Sequence, residues 1–190
     1  MCAAGHTRKV VLGSVASLNS KYKGIQTAFR ALQCLIKKNP SIKFEYRILG
    51  SGNIKPWEIL AKKYRIQDNV IFCGILPSGG PVNEWLDKID IYLQPSETEG
   101  LPRSLVEAMS RGCPCIASAV GGIPELLSSA SLHRKKDYKK LVSLIELAIT
   151  SKDWRVSESR RNFLTAMEYE SQKLENRRNV FWSHILQKIR

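Results

Sequence analysis

Short β-branched, apolar runs alternate with helical patterns along most of the chain, and nothing else in the sequence limits the fold as strongly. Lys9 to Val15 (KVVLGSV) reads as a buried strand ended by small residues. A loop follows from Ser17 to Lys23. Gly24 opens a helix from Ile25 to Lys38 with Ala28, Ala31, Leu32, Leu35 and Ile36 on one stripe, and Asn39-Pro40 stops it. Further strands are expected at Phe44 to Leu49, Asn69 to Phe72, Ile89 to Leu93, Pro114 to Ala117 and, briefly, Ser131 to His133. Helices are expected at Pro56 to Tyr64, Val82 to Lys88, Pro102 to Arg111 and Pro124 to Leu127. Strands and helices alternating at such short intervals predict an α/β fold with a doubly wound, mostly parallel sheet. After Asp137 the pattern turns helical. Leu141, Leu144, Ile145 and Ala148 share a face, Ser151 to Asp153 is a polar break, and one long helical tail is expected from Ser157 to Ile189.

Ligands of open parallel sheets bind at the carboxyl ends of the strands. The glycine- or charge-rich loops Ser17 to Gly24, Gly50 to Gly52, Gly74 to Gly80, Pro95 to Pro102 and Gly121-Gly122 all follow strands, so they gather on that edge. Among them, Glu99 to Glu107 (EGLPRSLVE) sets two carboxylates across a loop-to-helix junction. Gly100 permits a tight turn, and Pro102 suits the first helical position, where its missing N–H costs nothing. The free amides and positive dipole end of that helix favour a phosphate. Glu107 lies ~7 Å along it at 1.5 Å per residue. Such a site can hold a nucleoside diphosphate sugar lengthwise, with Glu99 at the sugar, the helix start at the diphosphate and Glu107 at the ribose.

The 190 residues suffice for one domain with a core. No apolar run is long enough to span a bilayer, and MCAAGHTRK lacks the apolar centre of a secretory signal. The five cysteines show no zinc spacing; Cys113 and Cys115 read as buried strand thiols, which fits a reduced, cytoplasmic compartment. A net charge of +13 favours phosphorylated ligands, anionic headgroups at an inner membrane leaflet, or nucleic acid. No zinc pattern or aromatic interleaving supports nucleic acid.

The ordered motifs resemble the carboxyl-terminal, donor-binding domain of retaining glycosyltransferases of family 4, which have the GT-B fold. Pro95, Ser96, Glu99, Gly100, Glu107 and Ala108 fill the P-S-x-x-E-G…E-A signature. Gly112 to Ala117 matches G-x-P-(V/C)-(I/V)-A, and Gly121, Gly122 and Glu125 match G-G-x-x-E. Lys23-Gly24, Gly50 to Gly52 and Asn69 to Gly74 match further elements. The resemblance implies a Rossmann-like nucleotide-sugar-binding domain over 1–153, with a helical extension over 154–190. It implies catalytic roles for Glu99 at the donor sugar and Lys23 at the departing diphosphate. It implies donor contacts at Lys21, Gly52, Gly74, Ile75, Gly100, Leu101, Pro102, Arg103 and Glu107. Neither a metal nor a resident cofactor is expected, and a UDP-sugar is the expected donor. Many relatives carry arginine where this chain has Ser14; Lys21 or Arg103 are the candidate substitutes. The amino-terminal acceptor domain is absent from this reading, so an acceptor-binding domain or subunit is an expected partner.

Simpler readings stay open at this point. Glu107 could pair with Arg111 at i,i+4. Lys23 could be a solvated lysine, Gly50 to Gly52 only a turn, and Gly121-Gly122 a close-packing device. His6, His133 and His184 do not cluster and match no catalytic position.

Overall fold

The computed structural model describes residues 9–189, the side chain of Ile189 excepted, so His6 and Cys2 lie outside the described residues. The strands are β1 (Val10–Val15), β2 (Phe44–Leu49), β3 (Val70–Phe72), β4 (Ile91–Gln94), β5 (Cys115–Ser118) and β6 (Leu132–His133). All pair in parallel, in the order β3-β2-β1-β4-β5-β6. A central parallel strand must be apolar on both faces. In β1, Leu12 enters the core beneath one helical layer and Val11 the core beneath the other.

The helices are α1 (Ile25–Lys38), α2 (Lys55–Lys63), α3 (Gly80–Leu86), α4 (Arg103–Ser110), α5 (Ile123–Leu126), α6 (Tyr138–Thr150), α7 (Lys152–Ala166) and α8 (Ser171–Ile189). The residues of α1, α2 and α6 join Leu12, Phe44, Tyr46, Ile48 and Ile91 in one core; those of α3, α4 and α5 join Val11, Leu49, Tyr92, Cys115 and Ala117 in the other. Phe29 of α1 sets its ring edge-on to Tyr46, 6.2 Å between centroids. Cys113 and Cys115 are both buried as expected, although only Cys115 lies in β5 and Cys113 precedes it in the turn leaving α4. Removal from water pushes the Cys113 thiol up to about 12, so it stays protonated at neutral pH.

The sequence expectations need three corrections. The fourth strand starts at Ile91, not Ile89, because Ile89 N–H still donates to Leu86 O (3.0 Å) in the turn leaving α3. Pro102 is the N-cap of α4 with extended backbone (φ −74°, ψ 110°), and the first helical residue is Arg103. The expected tail is two helices. The break falls at Ser151, extended between α6 and α7, but the next helix starts at Lys152 rather than Ser157, because the Ser151 hydroxyl caps it by accepting from Trp154 N–H (3.1 Å). Glu170, in extended conformation (ψ 141°), then separates a 3-10 turn at Met167–Tyr169 from α8. The many charges of this stretch hide the boundary in the sequence, because side-chain capping leaves no hydrophobic signature.

α7 is fastened to the sheet layer by polar bonds. Asn162, fully buried, donates from Nδ2 to Cys113 O (2.9 Å). Glu158, also buried, accepts from Ser131 Oγ (2.6 Å) and Ser128 Oγ (3.1 Å). Asn162→Ala leaves the buried Cys113 carbonyl with only the weak Cys115 thiol donor (3.2 Å) and is expected to cost about 1–2 kcal/mol, read as a lower urea midpoint at unchanged m.

His133 ends β6 with 3% of its surface exposed, and its Nδ1–H donates to Arg134 O (2.8 Å). Burial holds its pKa below the ordinary 6.5. The unfolded chain therefore binds the extra proton more readily, and stability present at neutral pH is lost as pH falls below about 6.5. The fall in Tm between pH 7 and pH 5.5 should be smaller in His133→Gln than in the wild type.

Candidate functional site

β1 and β4 lie side by side, but the chain leaves β1 towards β2 on one side and leaves β4 towards β5 on the other. The crevice at such a switch point is where open α/β sheets take ligands. Here it is a cleft of 560 Å³. Its floor is the ends of β1 and β2, one wall is the loop carrying Ile75, and the other wall is the Glu99 loop with α4.

Two glycines seat the Glu99 loop. Gly24 has φ +71°, and a Cβ there would fall 1.8 Å from Pro95 O. Gly121 has φ +54°, and a Cβ there would fall 1.9 Å from Glu99 O. Only glycine allows both the left-handed backbone and this approach. Gly122 N–H donates to Gly100 O (2.8 Å), so Gly121-Gly122 grips the loop backbone, the close-packing alternative of the sequence reading. On the other flank Glu97 N–H donates to Tyr22 O (2.7 Å).

Glu99 is held by three donors on a single oxygen. Its Oε1 accepts from Lys23 Nζ (2.8 Å), Gln94 Nε2 (2.8 Å) and Ser96 Oγ (2.7 Å). The carboxylate is 9% exposed and Lys23 29%. Oε2 carries none of these bonds and belongs to a residue that lines the cleft. Behind Glu99 runs a buried relay. Gln94 Oε1 accepts from Tyr92 Oη (3.0 Å), which accepts from Val15 N–H (3.3 Å). Burial pushes the Tyr92 phenol well above its ordinary value, so it remains a donor. Sequence reasoning missed Gln94 and Tyr92 as supports. The visible signal was a glutamine closing the apolar run IYLQ, since a buried amide must find partners.

α4 begins with Arg103, has no side-chain cap and no acid in its first turn, so its positive end is open to the cleft. Glu107, one turn further, is exposed and makes no ion pair among the described residues. The alternative Glu107–Arg111 pair does not form, because Arg111 is engaged by both oxygens of Asp87 (2.8 Å each). That contact holds the Asp87 carboxyl below its ordinary value.

Of the residues singled out in the sequence, Lys23, Ile75, Glu99, Leu101, Pro102, Arg103 and Glu107 all line this cleft. Lys21, Gly52, Gly74 and Gly100 do not. Lys21 is exposed outside it, and its carbonyl accepts from Gln26 Nε2 (3.0 Å). Gly52 approaches Asn19 N closely, Gly74 O accepts from Gly50 N–H (2.7 Å), and Gly100 is held by Gly122. Ser14 is buried, with Oγ 2.7 Å from Tyr46 Oη and donating to Leu93 O (2.6 Å). Among the described residues no group of three His, Cys, Asp or Glu is placed to hold a metal, and no helix is long and apolar enough to cross a membrane.

A carboxylate and lysine, an uncapped helix start and a second free carboxylate are thus ranged along one crevice. Residues 9–150 match the family described as glycosyl transferases group 1. The chain belongs to this family. Protein CapJ of Staphylococcus aureus is 34% identical over 172 residues, covering 90% of this chain and 40% of CapJ. The putative colanic acid biosynthesis glycosyltransferase WcaL of Escherichia coli K12 is 40% identical over 126 residues, 61% of this chain and 29% of WcaL. HepE of Anabaena, solved in complex with UDP, shares the fold with a TM-score of 0.82 at 18% identity, over 93% of this chain and 49% of that one. The architecture of this group 1 glycosyl transferase chain is the Rossmann-like domain of GT-B glycosyltransferases, and it spans less than half the length of these relatives.

Gln94 and Ser96 act on the same oxygen of Glu99, so their removal should not be additive. Gln94→Leu is expected to cost about 1–3 kcal/mol, and the double variant with Ser96→Ala less than the sum of the two singles, measured by urea unfolding.

Proposed function

We propose that this domain binds a nucleoside diphosphate sugar, with a UDP-sugar as donor, for retaining transfer of a hexosyl unit to a hydroxyl acceptor in polysaccharide biosynthesis. The observation that carries the reading is the order of groups along the cleft. The Glu99–Lys23 pair, the uncapped start of α4 and the unpaired Glu107 follow one another as sugar, diphosphate and ribose would. The UDP complex of HepE and the colanic acid role in the name of WcaL support it.

In this reading Glu107 accepts from the two ribose hydroxyls, since an ionised carboxylate is acceptor-only. Glu99, with Oε1 saturated, meets a sugar hydroxyl through Oε2. The bond from the anomeric carbon to the phosphate oxygen breaks, and the acceptor oxygen bonds that carbon on the same face. The hydroxyl proton passes to the departing diphosphate. Lys23 and the amides of the α4 start stabilise the charge as it develops, without a metal. Gly52, Gly74 and Gly100 serve by shaping the loops, and Ile75 faces the base.

The 40% coverage of CapJ favours a second reading of the activity: the domain binds donor but transfers only together with an acceptor-binding domain or polypeptide. Turnover with and without such a partner separates the two, and efficient transfer by this chain alone would exclude the second.

Calorimetric screening against UDP-, GDP- and ADP-sugars tests the donor site. One should bind, and Glu107→Ala should weaken it about 10- to 100-fold, the loss expected for hydrogen bonds to a charged group. Equal binding by the variant would remove Glu107 from the ribose.

A further inference from the structure

We propose that Glu97 is a positioning residue for sugar transfer. It fastens the Glu99 loop to the turn that carries Lys23 and to the turn before α6, and so holds Glu99 and Lys23 at the spacing the donor sugar needs. This rests on the reading above that places the sugar at Glu99.

The loop between β4 and α4 gives one carboxylate to each of two cavities. Glu99 lines the donor cleft, whereas Glu97 lines a separate hollow of 300 Å³ with Gln26, Arg30, Lys136 and Tyr138. The two cavities share no lining residue, so Glu97 is not a wall of the donor cleft. Its side chain is 16% exposed and fully engaged. Oε1 accepts from Gln26 Nε2 (2.8 Å), and Oε2 lies 3.0 Å from Lys136 Nζ. Each carboxylate of the loop thus has its own amide and its own lysine: Gln94 and Lys23 hold Glu99, while Gln26 and Lys136 hold Glu97.

These bonds link both halves of the Glu99–Lys23 pair. Gln26 Nε2 also donates to Lys21 O (3.0 Å), so one amide joins the Glu97 carboxylate to the 3-10 turn Lys21–Lys23. The Glu97 N–H donates to Tyr22 O in that same turn (2.7 Å). On the other side Glu97 follows Ser96, whose hydroxyl is one of the three donors on Glu99 Oε1 (2.7 Å). A displaced Glu97 would carry Ser96 with it and release the turn that aims Lys23.

Two local rules are broken around Glu97. Lys136 has φ +64°, a left-handed backbone that residues with a side chain seldom adopt. Gln26 Oε1 is buried and has no hydrogen-bond partner among the described residues. Turning that amide over would set its oxygen against Glu97 Oε1 and Lys21 O, both acceptors, so the orientation that serves Glu97 is kept although it leaves Oε1 unanswered. The Lys136 side chain is 66% exposed, and an ion pair that open adds little to stability. Local rules are broken where function sets the geometry, and here the geometry set is that of the neighbouring carboxylate.

The test uses whichever of UDP-glucose, UDP-N-acetylglucosamine, GDP-mannose and ADP-glucose the wild type binds, compared by calorimetry with its own nucleoside diphosphate. Lys136→Met and Glu97→Gln should each weaken the nucleotide sugar about three- to ten-fold and leave the nucleoside diphosphate unchanged, because the disturbance lies at the sugar end. The double variant should lose little more than either single, since both remove the same contact. Lys136→Arg should recover most of the loss. Lys38→Met, which removes an ion pair to Glu146 away from both cavities, should behave as the wild type. An unchanged ratio of the two affinities in Lys136→Met or Glu97→Gln would overturn the assignment while leaving the donor site intact. Parallel loss of both ligands would also overturn it, as general damage to the loop. A wild type that binds none of the four nucleotide sugars sinks the donor-site reading and this proposal together.

Discussion

Lys23 and Glu99 meet across the crevice between β1 and β4, and the site depends on that contact. Each residue sits on a loop that follows a different strand, 76 positions apart in the chain. The contact exists because the sheet sets β1 beside β4 and because Gly24 lets the start of α1 touch the backbone of Pro95. Any side chain at Gly24 would push the two loops apart and with them the lysine and the carboxylate.

Holding a nearly buried carboxylate is costly unless its oxygens are answered. Here the answer comes from a lysine, an amide and a hydroxyl on one oxygen, with Tyr92 and the end of β1 supporting the amide. The result is a fixed carboxylate whose three donors all fall on one oxygen, on a residue that lines the cleft. Preorganisation of this kind is what an electrostatic site needs, because donors and acceptors already in place need not reorganise during reaction. At α4 the start is likewise open, with no side chain capping its first amides.

Sequence reasoning reached the fold through β1, α1 and the turn residues between the strands, since a parallel sheet buried on both faces writes itself as continuous apolar runs. It reached Glu99, Lys23 and Glu107 through motif order. It failed in the tail, where α7 starts at Lys152 and an interruption at Glu170 precedes α8, and at Pro102, which caps α4 rather than opening it. Those positions turn on backbone angles and single hydrogen bonds, which carry little periodic signal. Gln94 was invisible as a support because a polar residue at a strand end is ordinary until its burial is known.

The sequence by itself determined the layers and the edge on which the site lies, because hydrophobic period and turn chemistry are local properties of neighbouring residues. The tertiary structure alone decided which charges are spent and which are free. Lys23 is bound to Glu99, Arg111 to Asp87, and Arg103 and Glu107 to nothing among the described residues. Charge pairing depends on distances across loops that are far apart in the chain, so it is fixed only when the strands have been set side by side.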